Sequence, residues 1–117
     1  MILGIGVDIV SNNRFDNKPE GFLEKIFTPG ELASSLSAPN KSEFFASRFA
    51  AKEALAKALG SGFRGIQPAD IEVCSDDLGK PYIKLLKDVC LDCVIHLSLS
   101  HERDSSVAMV VVEDGKK

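Results

Sequence analysis

The chain has 117 residues, the usual size of one domain, and we expect a single domain over residues 1–117. Its hydrophobic content of 44% is ordinary for a globular protein, and its net charge of −3 gives no overall positive field for nucleic acid or anionic membrane. No apolar run is long enough to cross a bilayer, and the N-terminus lacks the basic start of a signal peptide, so we expect a cytoplasmic protein.

The cysteines favour reduced thiols over a disulfide framework, because Cys74, Cys90 and Cys93 are an odd number. Cys90 and Cys93 form a C-x-x-C pair, but a zinc site needs two further ligands, and only His96 is close in sequence. A thioredoxin-like pair opens a helix, whereas a strand-like run follows here. We therefore expect packing or surface thiols.

The first predicted element is a strand over residues 2–9. Ile5, Val7 and Ile9 share one face, and the other face carries Gly4, Gly6 and Asp8. Glycines in a strand often mark a close approach by a ligand or by another backbone. The pattern predicts that Asp8 stands at the end of a bare groove.

Two capping signals then predict helices. Ser11 is a candidate cap for a short, interrupted helix, but the sequence Thr28-Pro29-Gly30-Glu31 is a stronger helix start, with a helix that ends before Pro39. The sequence Asn40-Lys41-Ser42-Glu43 resembles a second capping box and opens the longest helix, over residues 41–59, which Gly60 ends.

The remaining elements are four predicted strands, at residues 71–74, 82–86, 94–100 and 107–113. A hairpin turn at residues 77–81 joins the first two. The last strand is apolar on both faces and should lie centrally. This order predicts an α+β fold, with an antiparallel-rich sheet packed against one long helix and shorter helices.

The long helix carries charges where an amphipathic helix would not. Arg48 and Lys52 fall within its apolar face, so either their stems reach to solvent or the helix faces an anion. Glu53 and Lys57 lie one turn apart beside small side chains, and are either a surface pair or a carboxylate for a metal and an ammonium for phosphate. With Asp8, Glu53 would give the two carboxylates that Mg²⁺ favours. The small side chains are Ala46, Ala50 and Ala54.

These residues lie in motifs that resemble those of the holo-[acyl-carrier-protein] synthases, which carry a 4′-phosphopantetheinyl transferase-like fold. The resemblance covers essentially the whole chain, and its motifs stand at residues 4–9, 26–31, 48–57, 70–72, 79–82 and 98–101. The most specific feature is the combination of Arg48-Phe49-Ala50-Ala51-Lys52-Glu53-Ala54 with the Asp8 motif.

The resemblance implies magnesium-dependent transfer of 4′-phosphopantetheine from coenzyme A to a serine of apo acyl carrier protein, in fatty acid biosynthesis. Adenosine 3′,5′-bisphosphate would be the other product. Asp8 and Glu53 match the metal ligands, Lys57 matches the lysine beside the phosphates, and these three match the catalytic residues. Further residues match the positions that hold the nucleotide of coenzyme A: Arg48, Gly79, Lys80, Pro81, Ser100 and His101. The proton acceptor stays open among Asp8, Glu53 and a water on the metal.

The resemblance also implies a homotrimer with active sites between subunits. The larger monomeric relatives carry an acidic residue two positions after the aspartate, where this chain has Val10. Arg14 matches a residue that docks the carrier protein, but the segment over residues 15–21 is shorter and less basic than the usual docking helix.

Two other functions compete with this transferase. One is a noncatalytic module of the same fold that binds coenzyme A or a carrier protein; loss of Asp8, Glu53 or Lys57 would favour it, and all three are present. The other is a metal-dependent phosphodiesterase or nuclease, against which the net charge of −3 and the absence of interleaved basic and aromatic residues count.

Overall fold

The α+β fold predicted from the sequence is confirmed. A computed structural model describes residues 1–60, 62–90 and 92–115. Its elements in chain order are β1 (Ile2–Ser11), α1 (Glu20–Leu23), α2 (Pro29–Ser35), α3 (Lys41–Ala58), a 3-10 turn (Pro68–Asp70), β2 (Ile71–Ser75), β3 (Pro81–Leu85), β4 (Cys93–His101) and β5 (Ser105–Asp114). No helix in the described ranges is long and apolar enough to span a membrane.

The strands form two antiparallel sheets. The larger has the order β1-β5-β4, so the strand that is apolar on both faces is the central one, as predicted. The smaller is the hairpin of β2 and β3. Gly79 takes a φ of 86° in its turn, and the Asp76 carboxylate accepts hydrogen bonds from the backbone N–H groups of Leu78 and Lys80, each at 2.9 Å.

Helix α3 covers one face of the larger sheet at very short range. A Cβ on Gly4 would lie 1.9 Å from the Ala58 carbonyl oxygen, and one on Gly6 would lie 2.0 Å from the Ala54 carbonyl oxygen. The glycines of β1 therefore admit the helix backbone, and the prediction of a bare groove beside Asp8 was wrong. The alanines expected to leave space are fully buried beneath the sheet: Ala46, Ala50 and Ala54.

The helix starts predicted from the sequence are confirmed in part. Thr28 and Glu31 form the complete capping box predicted for α2. At α3 only half of a box forms, since Asn40 accepts from the Glu43 N–H while the Glu43 side chain points to another partner. Ser11 ends β1 rather than capping a helix, because its backbone pairs with Ser105.

Lys52 faces an anion from within the protein. Its ammonium group is fully buried and donates to Glu31 Oε1 at 2.7 Å. It also donates to three backbone carbonyl oxygens at 2.7 to 2.9 Å, those of Ile26, Pro68 and Ile71. The idea that α3 presents Lys52 to a bound anion is thus corrected, since this cation ties α2 and β2 to the helix and is satisfied there.

The expectation of three reduced thiols was wrong for one pair. Cys90 and Cys93 are joined by a disulfide, with their Cα atoms 5.6 Å apart, and Cys74 is free. Asp92 between them takes a φ of 65°, which turns the chain tightly enough to bring the two Cα atoms within disulfide range.

Candidate active site

Asp8 and Lys57 meet where β1 crosses the C-terminal half of α3. Lys57 Nζ donates to Asp8 Oδ1 at 3.0 Å and to the Val7 carbonyl oxygen at 3.0 Å. The lysine side chain is 54% exposed, whereas that of Asp8 is 17% exposed. The glycines of β1 let the helix approach closely enough for this pair to form. The pair therefore lies at the surface, with the carboxylate recessed beneath the ammonium group.

Glu53 belongs to the same group of charges. Burial and the neighbouring Asp8 charge raise the pKa of Glu53, while the charges of Lys57 and Arg14 act in the opposite direction. Two carboxylates and two cations therefore interact within this one region. The structure thus brings Asp8, Glu53 and Lys57 together, although they are up to 49 positions apart in sequence.

The chemistry of this group fits a hard divalent cation. Two carboxylates that repel each other gain from a shared cation, and Mg²⁺ is commonly held by one or two carboxylates with water and phosphate completing its coordination. No group of three or more His, Cys, Asp or Glu side chains suited to a metal occurs in the described ranges. A metal at Asp8 and Glu53 would therefore take further oxygens from water or a ligand.

Arg14 lies beside this group, in a turn rather than a helix. Its guanidinium carbon is 5.4 Å from the centre of the Phe49 ring, and its charge lowers the pKa of Glu53. Residues 12–17 form turns, and α1 has only four residues. The short segment anticipated after Arg14 is therefore present, and it leaves Arg14 on the surface next to Glu53.

A second charged group occupies the N-terminal half of α3. Arg48 stacks on Phe44 at 4.0 Å and donates to Ser47 Oγ at 3.0 Å. Its Nε is the one buried side-chain polar atom without a hydrogen-bond partner in the described part of the chain. Burial lowers the pKa of Arg48, while the Glu43 charge raises it. His101 Nε2 lies 3.8 Å from Glu43 Oε1, so His101 also belongs to this group.

The predicted nucleotide residues are split within one chain. Ser100 and His101 line an open groove of about 370 Å³ at the end of β4, whose walls include Ile9 and Val107. Gly79, Lys80 and Pro81 lie instead on the β2–β3 hairpin. Among the described residues, no hydrogen bond or ion pair connects this hairpin with Asp8, Glu53 or Lys57.

Two residues of the site region were not identified from the sequence. Glu43 was assigned only to capping, yet its carboxylate faces His101. Asn12 is buried and holds the turn that follows His101, donating to the carbonyl oxygens of Glu102 and Arg103 and accepting from Ser106 Oγ. Only the position of Asn12 directly after an apolar strand hinted at it, because its partners are 90 or more positions away.

Known proteins resemble the chain over nearly its whole length. The sequence model of the 4′-phosphopantetheinyl transferase superfamily matches residues 4–111. A holo-[acyl-carrier-protein] synthase of Halothermothrix orenii is 47% identical over 98% of this chain and 100% of its own length. The solved holo-(acyl-carrier-protein) synthase of Bacillus anthracis, in complex with CoA (3′,5′-ADP), superposes with a TM-score of 0.86 at 40% identity, covering 97% of this chain and 98% of that one.

A solved structure with lower sequence identity also matches the chain. The holo-[acyl-carrier-protein] synthase of Helicobacter pylori, in complex with coenzyme A, is 32% identical with a TM-score of 0.81, and the match covers 93% of this chain and 99% of that one. The agreement thus extends over sequence, fold and length. The chain belongs to the 4′-phosphopantetheinyl transferase superfamily and, within it, to the holo-[acyl-carrier-protein] synthases.

Proposed function

We propose that this protein transfers 4′-phosphopantetheine from coenzyme A to a serine of apo acyl carrier protein, in the cytoplasm and in support of fatty acid biosynthesis. The observation that carries the proposal is the convergence of Asp8, Glu53 and Lys57 at one surface. The proposal is also supported by the similarity in sequence and fold to holo-[acyl-carrier-protein] synthases over nearly the full chain. The same agreement disfavours a phosphodiesterase or nuclease.

The reaction exchanges one phosphorus–oxygen bond for another. The serine oxygen bonds to the phosphorus that bears the pantetheine, and the bond from that phosphorus to the pyrophosphate bridging oxygen breaks. Adenosine 3′,5′-bisphosphate leaves with the bond's electron pair, and the serine gives up its proton. Lys57 has a third N–H for a phosphate oxygen, so it would stabilise the negative charge that grows during transfer.

Asp8 and Glu53 are the proposed magnesium ligands. When bound, the ion would supply Lewis-acid stabilisation of the pyrophosphate oxygens. The Asp8 carboxylate is held by its hydrogen bond from Lys57, and its charge raises the pKa of the neighbouring Glu53. Asp8 is therefore oriented before any substrate binds, which reduces the ordering that the transition state requires.

Arg48 and His101 are the proposed contacts to the nucleotide part of coenzyme A. The unpartnered Nε of Arg48 is a buried donor in need of an acceptor, and a phosphate oxygen is a suitable one. Ser100 and the hairpin residues Gly79, Lys80 and Pro81 complete this proposed subsite. Among the described residues the hairpin makes no hydrogen bond or ion pair with Asp8, Glu53 or Lys57, so a neighbouring chain is the proposed source of part of the subsite.

We propose that the neighbour is another copy of this chain, in a homotrimer. The face of the larger sheet opposite α3 is open and apolar, and Ile5, Val7 and Ile9 on β1 are each more than half exposed. Three residues of β5 lie directly opposite them in register: Val111, Met109 and Val107. An uncovered apolar patch across two strands is typical of an interface between subunits.

This interface can be tested by light scattering after size-exclusion chromatography. Val7→Glu places a charge at the centre of the open face without touching α3, so we expect the variant to run as a monomer with an unchanged circular dichroism spectrum. Ser34→Glu, which adds the same charge at an exposed position of α2 outside this sheet, is the matched control. A wild-type protein that runs as a monomer at micromolar concentration would contradict the proposed homotrimer.

Arg14 is the proposed docking residue for the acidic carrier protein, because its cation is exposed next to the metal ligands. Lys18, at 5.9 Å from the Phe22 ring, adds a second positive charge in the same segment. We propose that both cations pair with acidic side chains of the carrier protein.

The transfer is tested by intact-mass analysis of apo acyl carrier protein incubated with the protein, coenzyme A and Mg²⁺. We expect a gain of one phosphopantetheine, no gain with Glu53→Ala or Asp8→Ala, and no gain on a carrier whose target serine is alanine. Bound coenzyme A without any mass gain on several carriers would favour the noncatalytic module instead. Activity of either alanine variant equal to that of the wild type would refute the assignment of these carboxylates.

A further inference from the structure

The inference concerns how Lys57 and a divalent cation share one carboxylate, and it rests on the proposed function. Lys57 Nζ lies 3.0 Å from Asp8 Oδ1, so the two groups form a hydrogen-bonded ion pair. The same ammonium group is held 3.0 Å from the Val7 carbonyl oxygen, so it is anchored to the β1 backbone as well as to the carboxylate. A cation is thus already in place at the recessed Asp8.

The position of Lys57 on α3 puts its charge near both carboxylates. It follows Glu53 by one helical turn, and its charge lowers the pKa of Glu53. Asp8 exposes only 17% of its side chain, and its Oδ1 atom is already in contact with the lysine. One ammonium group therefore neutralises the oxygens that a divalent cation needs.

We propose that Lys57 is the resident counter-cation of Asp8 and leaves Asp8 Oδ1 when a divalent cation binds, so that this lysine sets the metal affinity of the free protein. The bond to Val7 keeps the ammonium group at the site after the exchange. Its freed N–H then points to the phosphate oxygens of coenzyme A. The lysine thereby weakens metal binding in the absence of substrate and contributes to phosphate binding in its presence.

This exchange predicts that removing the lysine tightens metal binding. A partly exposed ion pair of this kind is worth a factor of about two to five in an equilibrium constant. We therefore expect Lys57→Met to bind Mn²⁺ about two- to fivefold more tightly than the wild type. Lys87→Met is the matched control, because it removes the same charge from an exposed position two residues after β3, and its Mn²⁺ affinity should be unchanged.

The experiment is a titration of the full-length, metal-free protein with Mn²⁺ alone, followed by electron paramagnetic resonance. Circular dichroism and urea midpoints of Lys57→Met and Lys57→Gln establish that each variant is folded, and either one suffices for the comparison. Asp8→Asn should abolish binding in both the wild-type and the Lys57→Met backgrounds. These measurements need neither coenzyme A nor the carrier, so they are independent of the transfer assay.

Each outcome decides the matter. The exchange is supported if the Lys57 variants bind Mn²⁺ more tightly than the wild type while the Mn²⁺ affinity of Lys87→Met is unchanged. It is also supported if the Lys57 variants bind Mn²⁺ and the wild type does not. Equal or weaker binding by the Lys57 variants refutes it, as would an equal gain in Lys87→Met, which would reflect net charge only. Absence of Mn²⁺ binding in every protein would also refute it, whereas failure of phosphopantetheine transfer with Mn²⁺ binding intact would refute the proposed function instead.

Discussion

Removing Lys52 from its buried pair with Glu31 is predicted to be one of the most destabilising single substitutions in this fold. Both side chains are fully buried, and the ammonium group faces four oxygen acceptors within 2.9 Å. Lys52→Met preserves most of the side-chain volume but removes the charge. The Glu31 carboxylate then stays buried with only the backbone N–H groups of Thr28 and Val73 as hydrogen-bond donors. Three backbone carbonyl oxygens also lose the donor that Lys52 supplied.

The free energy of unfolding that Lys52→Met loses follows from the burial of the pair and from the partners that are left behind. Removing one partner of a buried ion pair destabilises a protein by about 3–5 kcal/mol, because the other charge stays buried and uncompensated. Small domains have total stabilities of about 5–15 kcal/mol, so Lys52→Met should lose a large fraction of the whole. With a denaturant slope of about 1.5 kcal/mol per M, the urea midpoint should fall by about 2–3 M.

The assay is urea unfolding followed by circular dichroism, at one fixed protein concentration because assembly also contributes to apparent stability. Lys57→Met, which removes a half-exposed lysine from the same helix, should change the free energy of unfolding by less than about 1 kcal/mol. Glu31→Gln alone should be costly, and the double variant should cost less than the sum of the two single variants. A loss below about 1 kcal/mol in Lys52→Met would refute the reasoning.

Three further predictions concern the site and its support. Burial and the Asp8 charge raise the pKa of Glu53, so Glu53→Gln should raise the urea midpoint at pH 7 while abolishing transfer. This gain in the urea midpoint should shrink as the pH falls through the raised pKa, because the wild-type Glu53 is then protonated in the folded state. Arg14→Glu should raise the steady-state KM for the carrier far more than that for coenzyme A, and equal effects on both would reject docking by Arg14. Gly6→Ala, whose Cβ would lie 2.0 Å from the Ala54 carbonyl oxygen, should lower the free energy of unfolding by about 1–3 kcal/mol, whereas Gly21→Ala, which meets nothing within 4 Å, should not.

Local signals in the sequence were sufficient for much of the fold. The capping box of α2 depends on residues three positions apart, and the central place of β5 depends on its own apolar character. The convergence of Asp8 with Glu53 came from the family resemblance, because no local pattern relates a strand residue to a helix residue 45 positions later. The structure supplies that relation through the packing of α3 on β1.

The failures share one cause, which is that the same residue pattern admits a ligand or a piece of the protein itself. Gly4 and Gly6 are compatible with a bound ligand, yet they accommodate the backbone of α3. Lys52 on an apolar face is compatible with a bound anion, yet its anion is Glu31, 21 positions away. A sequence shows that a cation needs a partner, but only the three-dimensional packing shows whether that partner is internal.

Strand β1 links the chemistry of the site to the proposed assembly. Its alternation places Asp8 on the face that packs against α3 and Val7 on the open face, and the Val7 carbonyl oxygen is also an acceptor for Lys57. A shift of one residue in the pairing of β1 with β5 would exchange the two faces, burying the isoleucines against α3 and moving Asp8 away from Lys57. The apolar residues on the open face and the glycines beneath the helix therefore both fix the register that brings the Asp8 carboxylate to the lysine.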